Sequence, residues 1–133
     1  MERNTLEPKT EDRKKFDLDL QYGQVKEKIV ADMLQDKKIE VKSERGMWLK
    51  TGNIAIEYES YGKPSGIKAT EADMWVHNLT VDNELVCSLV FPVEKLKEIL
   101  PKLPQRSVMG GDNNASKLQL VSLIKLMETI RDL

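Results

Sequence analysis

KKIEVKSERGMWLKTGNIAIEYES, residues 37–60, begins with an alternation of apolar and charged side chains that decides the fold. Successive residues of a β-strand point to opposite faces, so Ile39 and Val41 share one face while Glu40, Lys42 and Glu44 share the other. We therefore predict a strand over IEVKSE, with Val41 anchored in the core and a charged face opposite to it.

The second half of this stretch predicts a neighbouring strand. Gly46, Gly52 and Asn53 are typical turn residues, and the segment NIAIEYES follows them. Ile54 and Ile56 fall on one face of this second strand. We expect it to lie antiparallel to the first strand, because the two runs are separated by a short turn-forming segment.

The remainder of the chain alternates helical and extended patterns. Residues 1–15 are polar and contain Pro8, which is typical of a flexible arm, and apolar residues at helical spacing from Tyr22 to about Leu34 predict a first helix. Further along we predict strands in ADMWVHNLTV and ELVCSLVFPV around the turn Asp82-Asn83, a helix in PVEKLKEILPKL, a loop in QRSVMGGDNNAS, and a strand running into a terminal helix in KLQLVSLIKLMETIRDL.

Together these elements predict one α/β domain over residues 16–133. Its central sheet would be mixed but mainly antiparallel, with roughly four to five strands and flanking helices. A chain of 133 residues fits a single domain of this kind.

Composition limits the chemistry that this domain can perform. The net charge of −1, from 21 basic and 22 acidic residues, argues against a protein that binds nucleic acid by overall charge alone. One cysteine and one histidine exclude an internal disulfide and the usual zinc sites, so a catalytic metal would need oxygen ligands. The sequence has no apolar run of membrane-spanning length and its start has no secretory pattern, so we expect a cytoplasmic location.

The charged face of the first predicted strand carries residues suited to phosphodiester hydrolysis. Glu40 and Lys42 are two residues apart on a strand, which places a carboxylate and an ammonium side by side. Carboxylates can hold Mg²⁺, and a neighbouring lysine can orient the attacking water or stabilise the transition state. The alternative is a solvent-exposed strand face with an ordinary charge pair.

The wider arrangement of elements resembles the PD-(D/E)XK, or restriction-endonuclease-like, nuclease superfamily. The resemblance rests on a helix bearing Glu27, the strand IEVKS and the neighbouring strand IEYES, and it spans roughly residues 16–78. The runs FDLDLQYGQVKEKI and EVKSERGMWLKTGNIAIEYESYGKPSGIKATEADMWV also look like a group of small phage-encoded nucleases. The resemblance implies a restriction-endonuclease-like core, a DNA endonuclease that uses Mg²⁺ or Mn²⁺, and a homodimer in the host cytoplasm.

The same resemblance implies a set of site residues, with two registers open. Glu27 matches the acid of the helix, although an ordinary exposed helix position explains it nearly as well. In the first register Glu40 and Lys42 form the (D/E)xK half-motif and Glu57 is the partner acid. In the second, Glu40 is the single strand acid, and Glu57 and Glu59 form the half-motif with glutamate in the usual place of lysine. Glu27, Glu40 and Glu57 are thus the expected metal ligands, and Lys42 joins them as a catalytic residue.

One part of the superfamily pattern is missing from this sequence. No aspartate precedes IEVK at the usual hairpin distance, so Asp17, Asp19 or Asp36 could supply that acid instead. This departure supports an alternative from another functional class, in which a nuclease-fold protein without catalytic activity binds nucleic acid or serves in assembly.

Two turn-rich segments are candidates for contacts with nucleic acid. Lys50, Thr51 and Asn53 belong to the predicted turn between the two strands, and Lys63 and Ser65 belong to the loop GKPSGI. Glycine-rich loops can approach a phosphate closely. Ordinary turn and surface-loop roles explain these five residues equally well.

Overall fold

The computed structural model describes residues 10–133, which divide into two compact units, one ending at Asp36 and the other comprising Lys37–Leu133. In the first unit helix α1 spans Thr10–Leu34. The helix therefore begins well before the predicted start at Tyr22 and includes residues 10–15 of the predicted arm, while residues 1–9 of that arm lie outside the described residues. The boundary between the two units falls at Asp36.

The second unit contains all the remaining helices and strands of the described chain. In order they are β1 (Ile39–Glu44), α2 (Met47–Thr51), β2 (Asn53–Ser60), β3 (Lys63–Pro64), β4 (Met74–Val81), β5 (Glu84–Pro92), α3 (Val93–Ile99), β6 (Arg106–Gly110), β7 (Ser116–Ser122) and α4 (Leu123–Arg131). Short 3₁₀ turns occupy Gly66–Lys68, Leu100–Lys102 and Asp112–Asn114. Among the described residues, no helix has the length and apolar character that crossing a membrane requires.

The strands form two sheets, and the predicted α/β class is confirmed. A mixed sheet has the order β1-β4-β5, and an antiparallel sheet has the order β3-β2-β7-β6. The predicted hairpin around Asp82 and Asn83 is present between β4 and β5. Both turn residues have positive φ, 51° and 65°, which asparagine and aspartate adopt more readily than most residues.

The predicted pairing of the first two strands is wrong. β1 pairs with β4 in parallel, with Glu40 opposite Trp75 and Lys42 opposite His77, and β2 belongs to the other sheet. The connection between β1 and β2 contains helix α2 instead of a tight turn. This helix carries the chain away from β1, so the two strands do not form a hairpin.

The core of the second unit places β1 differently from the sequence prediction. Buried side chains from both sheets pack with α3 and α4, including Ile54, Trp75, Leu96 and Leu126. Val41, predicted to anchor β1, is 55% exposed instead. The charged face of β1 is turned inward and is half-buried. It lies on the same side of the sheet as the buried residues of β4 with which it pairs.

A second correction concerns the segment that follows α3. The predicted helix there is confirmed as Val93–Ile99, and the predicted loop QRSVMGGDNNAS contains strand β6. β6 is an edge strand that pairs antiparallel with β7, which leads directly into α4 as predicted. Its short length and its glycines at positions 110 and 111 conceal it in the sequence.

Candidate functional site

Glu40 and Lys42 lie on the inward face of β1, because their paired residues Trp75 and His77 are both 1% exposed on β4. The Lys42 Nζ and Glu40 Oε1 atoms are 3.4 Å apart, and the two side chains are 41% and 36% exposed. This contact is a partly solvated ion pair, and its contribution to stability is small. The ion pair holds the Lys42 ammonium group toward Glu40, along the charged face of β1.

A pocket of about 240 Å³ lies beside this charged face. Its polar lining comes from three strands: Lys42 and Glu44 from β1, Glu57 from β2 and His77 from β4, with Trp75 and Leu118 among the remaining lining residues. The structure therefore brings Lys42 and Glu57 together, as the sequence predicted. Glu40 is linked to the pocket through its ion pair with Lys42.

Sequence reasoning did not select Glu44 or His77, which form a hydrogen-bonded chain at this pocket. The Trp75 indole Nε1 donates to His77 Nδ1 at 3.1 Å, and His77 Nε2 contacts Glu44 Oε1 at 2.9 Å. The backbone N–H of Ala55 on β2 donates to the same carboxylate oxygen at 2.7 Å. The Glu44 side chain thus connects β1, β4 and β2 at the edge of the pocket.

The tautomer of His77 follows from this chain of contacts. An indole N–H can only donate, so His77 Nδ1 must accept and the ring proton resides on Nε2, from which it is donated to Glu44. The contact between His77 and Glu44 is therefore a hydrogen bond from a neutral ring. A buried carboxylate contact of this kind orients the acid without placing a cation beside it.

One sequence signal could have identified Glu44. Glu44 lies two residues beyond Lys42 on β1 and therefore shares the strand face of Glu40 and Lys42. A prediction that puts those two residues at a site puts Glu44 there as well. No local signal identifies His77, because its partner is 33 residues away in the chain.

A β-bulge in β2 separates the two acids that the second register would combine. Ile56 pairs with Gln119 and Glu57 with Leu118, and after the irregularity Glu59 pairs with Lys117. Paired residues share a face, so Glu57 points to the same side as Leu118, and Glu59 points to the other side with Lys117 and Gln119. Glu57 and Glu59 therefore leave β2 on opposite faces.

Glu59 has its own partner on that other face. The Lys117 Nζ lies 3.1 Å from the Glu59 carboxylate. The hydrogen bond and the negative charge of Glu59 raise the pKa of Lys117 above its ordinary value of 10.5. This pair is partly exposed and lies outside the pocket lined by Glu57.

The remaining predicted acids lie in the first unit. Glu27, Asp17 and Asp19 are exposed positions of α1, and Asp36 has a positive φ of 54° just beyond that helix. Among the side chains that the structure describes, no three or more of His, Cys, Asp or Glu gather closely enough to hold a metal ion.

The pocket offers two carboxylates, Glu44 and Glu57, as oxygen donors. Mg²⁺ commonly uses one or two protein carboxylates and completes its octahedral shell with water and substrate phosphate. Carboxylate oxygens are the donors that Mg²⁺ and Mn²⁺ prefer, whereas zinc sites more often use nitrogen and sulfur ligands.

Of the residues predicted to contact nucleic acid, some have exposed side chains, and others have side chains that are buried or hydrogen-bonded within the protein. Lys50 and Lys63 are exposed. The Thr51 hydroxyl donates to Met47 O and accepts from Asn53 N, each at 3.1 Å, so it stabilises the end of α2. The Ser65 hydroxyl is buried without a hydrogen-bond partner among the described residues.

The loop GKPSGI holds the backbone of β2 next to Glu57. The Ser65 N–H donates to Tyr58 O at 3.1 Å, and Gly66 has a φ of +52°. A Cβ atom on Gly66 would collide with the carbonyl oxygen of Glu57. Glycine is required here both for the backbone conformation and for this close approach, which fixes the position of Glu57.

Comparisons of this chain with protein-family models, with curated proteins and with solved structures find no match.

Proposed function

We propose that this protein is a metal-dependent DNA endonuclease of the PD-(D/E)XK kind, with its site in the pocket between β1 and β2. One observation carries the proposal: Lys42 and Glu57, which belong to strands of different sheets, line the same pocket. A lysine and acids from neighbouring strands are the groups that hydrolysis of a phosphodiester requires.

The acids of the pocket would hold Mg²⁺ or Mn²⁺. Glu57 and Glu44 supply carboxylate oxygens. When bound, the ion would lower the pKa of a water molecule and accept negative charge from the scissile phosphate. His77 and the Ala55 N–H fix one oxygen of Glu44, which leaves its second oxygen for the ion.

Lys42 would assist the attacking water or stabilise the transition state with its ammonium group. Glu40 acts on this group through their 3.4 Å ion pair, which restricts the orientations of the lysine side chain at the pocket wall. In this arrangement Glu40 positions Lys42 and adds negative charge beside the metal site.

The geometry of β2 supports the first of the two registers. Glu57 lines the pocket with Lys42, and the bulge turns Glu59 to the other face, where it pairs with Lys117. The half-motif is then Glu40 and Lys42, and Glu57 is the acid from the neighbouring segment.

DNA would be held by exposed cations outside the pocket lining. Lys50 at the end of α2 and Lys63 in β3 are exposed and can contact phosphates. A homodimer in the host cytoplasm is part of the proposal by resemblance, since dimers of such nucleases can reach two strands.

The test is cleavage of supercoiled plasmid with Mg²⁺ or Mn²⁺ by the full chain and three variants. Lys42→Met and Glu57→Gln should each reduce the rate by about a hundredfold or more, because each removes a group at the reacting phosphate. Glu59→Gln is the matched comparison, an acid two residues away on the opposite face, and should cut at the normal rate. Cutting that survives loss of Lys42 and Glu57 refutes this site, and loss of cutting in Glu59→Gln supports the second register.

The alternative function is a nuclease-fold protein that binds nucleic acid, or serves in assembly, without cutting it. It is favoured by the lack of any three-acid cluster within the part of the chain that the structure describes. Binding to duplex, single-stranded or branched DNA, with no cutting in either metal, would support this alternative.

A further inference from the structure

A second and larger pocket, of about 460 Å³, lies on the opposite face of the β2-β7 pair. Tyr58 and Gln119 line it, whereas their chain neighbours Glu57 and Leu118 line the candidate nuclease pocket. Adjacent strand residues point to opposite faces, so the sheet separates the two pockets. A pocket in the range of about 300–1,000 Å³ is large enough for a small organic ligand.

The charged side chains that line this pocket are all positive, so the pocket favours an anionic ligand. Lys68, Lys97 and Arg106 line it, and its lining contains no acid. Among the side chains that the structure describes, none forms a salt bridge with any of these three cations. The Lys68 Nζ lies 5.0 Å from the centre of the Tyr58 ring, which holds this ammonium over the aromatic face at the pocket wall.

The interior of the pocket combines apolar surface with the buried amide of Gln119. Ile67 and Leu100 are 5% and 6% exposed and supply the apolar surface. Gln119 is 9% exposed, and its Nε2 donates to Leu100 O at 3.0 Å and to Pro104 O at 3.5 Å. These bonds fix the amide so that its Oε1 is the atom left to accept a hydrogen bond from a ligand.

The rim of the pocket is held in place by another hydrogen bond. The Tyr58 hydroxyl and the Ser107 Oγ are 2.7 Å apart, which links β2 to the edge strand β6. Arg106 is the neighbour of Ser107 and is therefore carried on a strand at the wall of the pocket.

We propose that this pocket binds a nucleoside monophosphate unit. Its phosphate would lie among Lys97, Arg106 and Lys68, and its base would pack on Ile67 and Leu100. The Gln119 Oε1 would accept a hydrogen bond from an amino or ring N–H group of the base. The unit can be a free nucleotide or one nucleotide of a strand, because both present the same phosphate and base.

This pocket is independent of the proposed nuclease site, because the two lie on different faces of β2 and share no lining residue. A protein that does not cut plasmid should therefore still bind the nucleotide. Failure of the nuclease proposal can thus be distinguished from failure of the nucleotide-binding proposal.

The test is isothermal titration calorimetry of the full chain with adenosine, cytidine, guanosine and uridine 5′-monophosphates, with inorganic phosphate and with the unphosphorylated nucleosides. At least one monophosphate should bind at one site per chain and about tenfold or more tighter than either phosphate or its nucleoside, because charge and apolar contacts act together. Absence of binding by all four monophosphates overturns the proposal. Equal binding of inorganic phosphate also overturns it, because the apolar surface and Gln119 would then contribute nothing.

Variants locate the binding. Arg106→Gln should weaken the monophosphate by about tenfold, as expected when a charged hydrogen-bond donor is lost. Lys125→Gln is the matched control, because Lys125 is an exposed lysine of α4 that pairs with Glu128 and lies outside this pocket. An affinity that Arg106→Gln leaves unchanged, or that Lys125→Gln weakens equally, contradicts the assignment.

Competition distinguishes the two sources of the ligand. If a short single-stranded oligonucleotide displaces the bound monophosphate and itself binds Arg106→Gln more weakly, the pocket takes a nucleotide of a strand. If the oligonucleotide does not displace it, the ligand is a free nucleotide. In that second case the oligonucleotide should bind both proteins equally, and either result supports the pocket. Displacement by an oligonucleotide that binds both proteins equally would contradict the assignment to this pocket.

Discussion

His77 Nε2 on β4 lies 2.9 Å from Glu44 Oε1 on β1, and this contact joins a fully buried ring to a half-buried carboxylate at the edge of the candidate site. Trp75 and Ala55 donate into the same chain, so three residues from two other strands determine where the Glu44 side chain lies. The acid is held before any substrate or metal binds, which is the condition for a preorganised site.

His77→Ala should destabilise the fold by roughly 2–4 kcal/mol, because it creates a cavity, leaves the Trp75 N–H without an acceptor and removes a donor from Glu44. Urea unfolding measures the change. Glu84→Ala, an exposed substitution on β5, is the control and should shift the free energy of unfolding by less than about 0.5 kcal/mol. Equal midpoints for the wild type and His77→Ala would show that this chain of contacts contributes nothing to stability.

Gly66→Ala should be much more damaging than Gly62→Ala. Both glycines have positive φ, 52° and 75°, but a Cβ atom on Gly66 meets the Glu57 carbonyl, whereas one on Gly62 meets nothing within 4 Å. We expect a cost of about 1 kcal/mol at Gly62, from backbone conformation alone, and about 3 kcal/mol or more at Gly66.

Thermal or urea unfolding of the two glycine variants measures this difference. Plasmid cutting by Gly66→Ala should also fall, because relief of the collision moves Glu57. Similar stabilities for the two variants would mean that the close approach to Glu57 is not required.

The pair formed by Glu59 and Lys117 predicts a stability change at high pH. The pKa of Lys117 is raised in the folded chain, so its stabilising contribution is complete below its ordinary value of 10.5 and is lost as the pH rises through the higher folded value. The wild type should therefore lose stability relative to Glu59→Gln as the pH rises above 10.5. Chemical-denaturation curves across this range measure the difference, and parallel curves for the two proteins would contradict the predicted coupling.

Glu40→Gln and Lys42→Met should affect cutting unequally. Lys42 lines the pocket, whereas Glu40 reaches it through the ion pair with Lys42. We expect Glu40→Gln to lower the rate by about tenfold and Lys42→Met by about a hundredfold, because orientation of a catalytic group contributes less than the group itself. Rates from single-turnover plasmid assays test this order, and a larger loss in Glu40→Gln would make Glu40 a direct metal ligand.

Local patterns predicted several elements of the second unit. The Asp82-Asn83 turn, the helix after Pro92 and the strand leading into α4 are all present, because turn conformation and helix starts depend on residues next to one another. The alternation in IEVKSE likewise predicted that Glu40 and Lys42 share a face.

Patterns of this local kind did not reveal which face of β1 turns inward. Val41 is exposed and Lys42 is half-buried, the reverse of the expectation from hydrophobicity. The reason is the parallel pairing of β1 with β4, which sets the charged face beside Trp75 and His77 and next to the pocket. A strand pattern fixes two faces but does not say which one meets the rest of the protein.

By itself the amino-acid sequence determined the α/β class, the β4-β5 hairpin, the last two helices and the common face of Glu40 and Lys42, since each depends on residues close together in the chain. The tertiary structure decided that β1 pairs with β4, that a bulge sends Glu57 and Glu59 to opposite faces, and that His77 holds Glu44, a residue 33 positions away in the chain. These features depend on contacts between distant segments, whose free energy is set by the packing of the whole unit and not by any local preference.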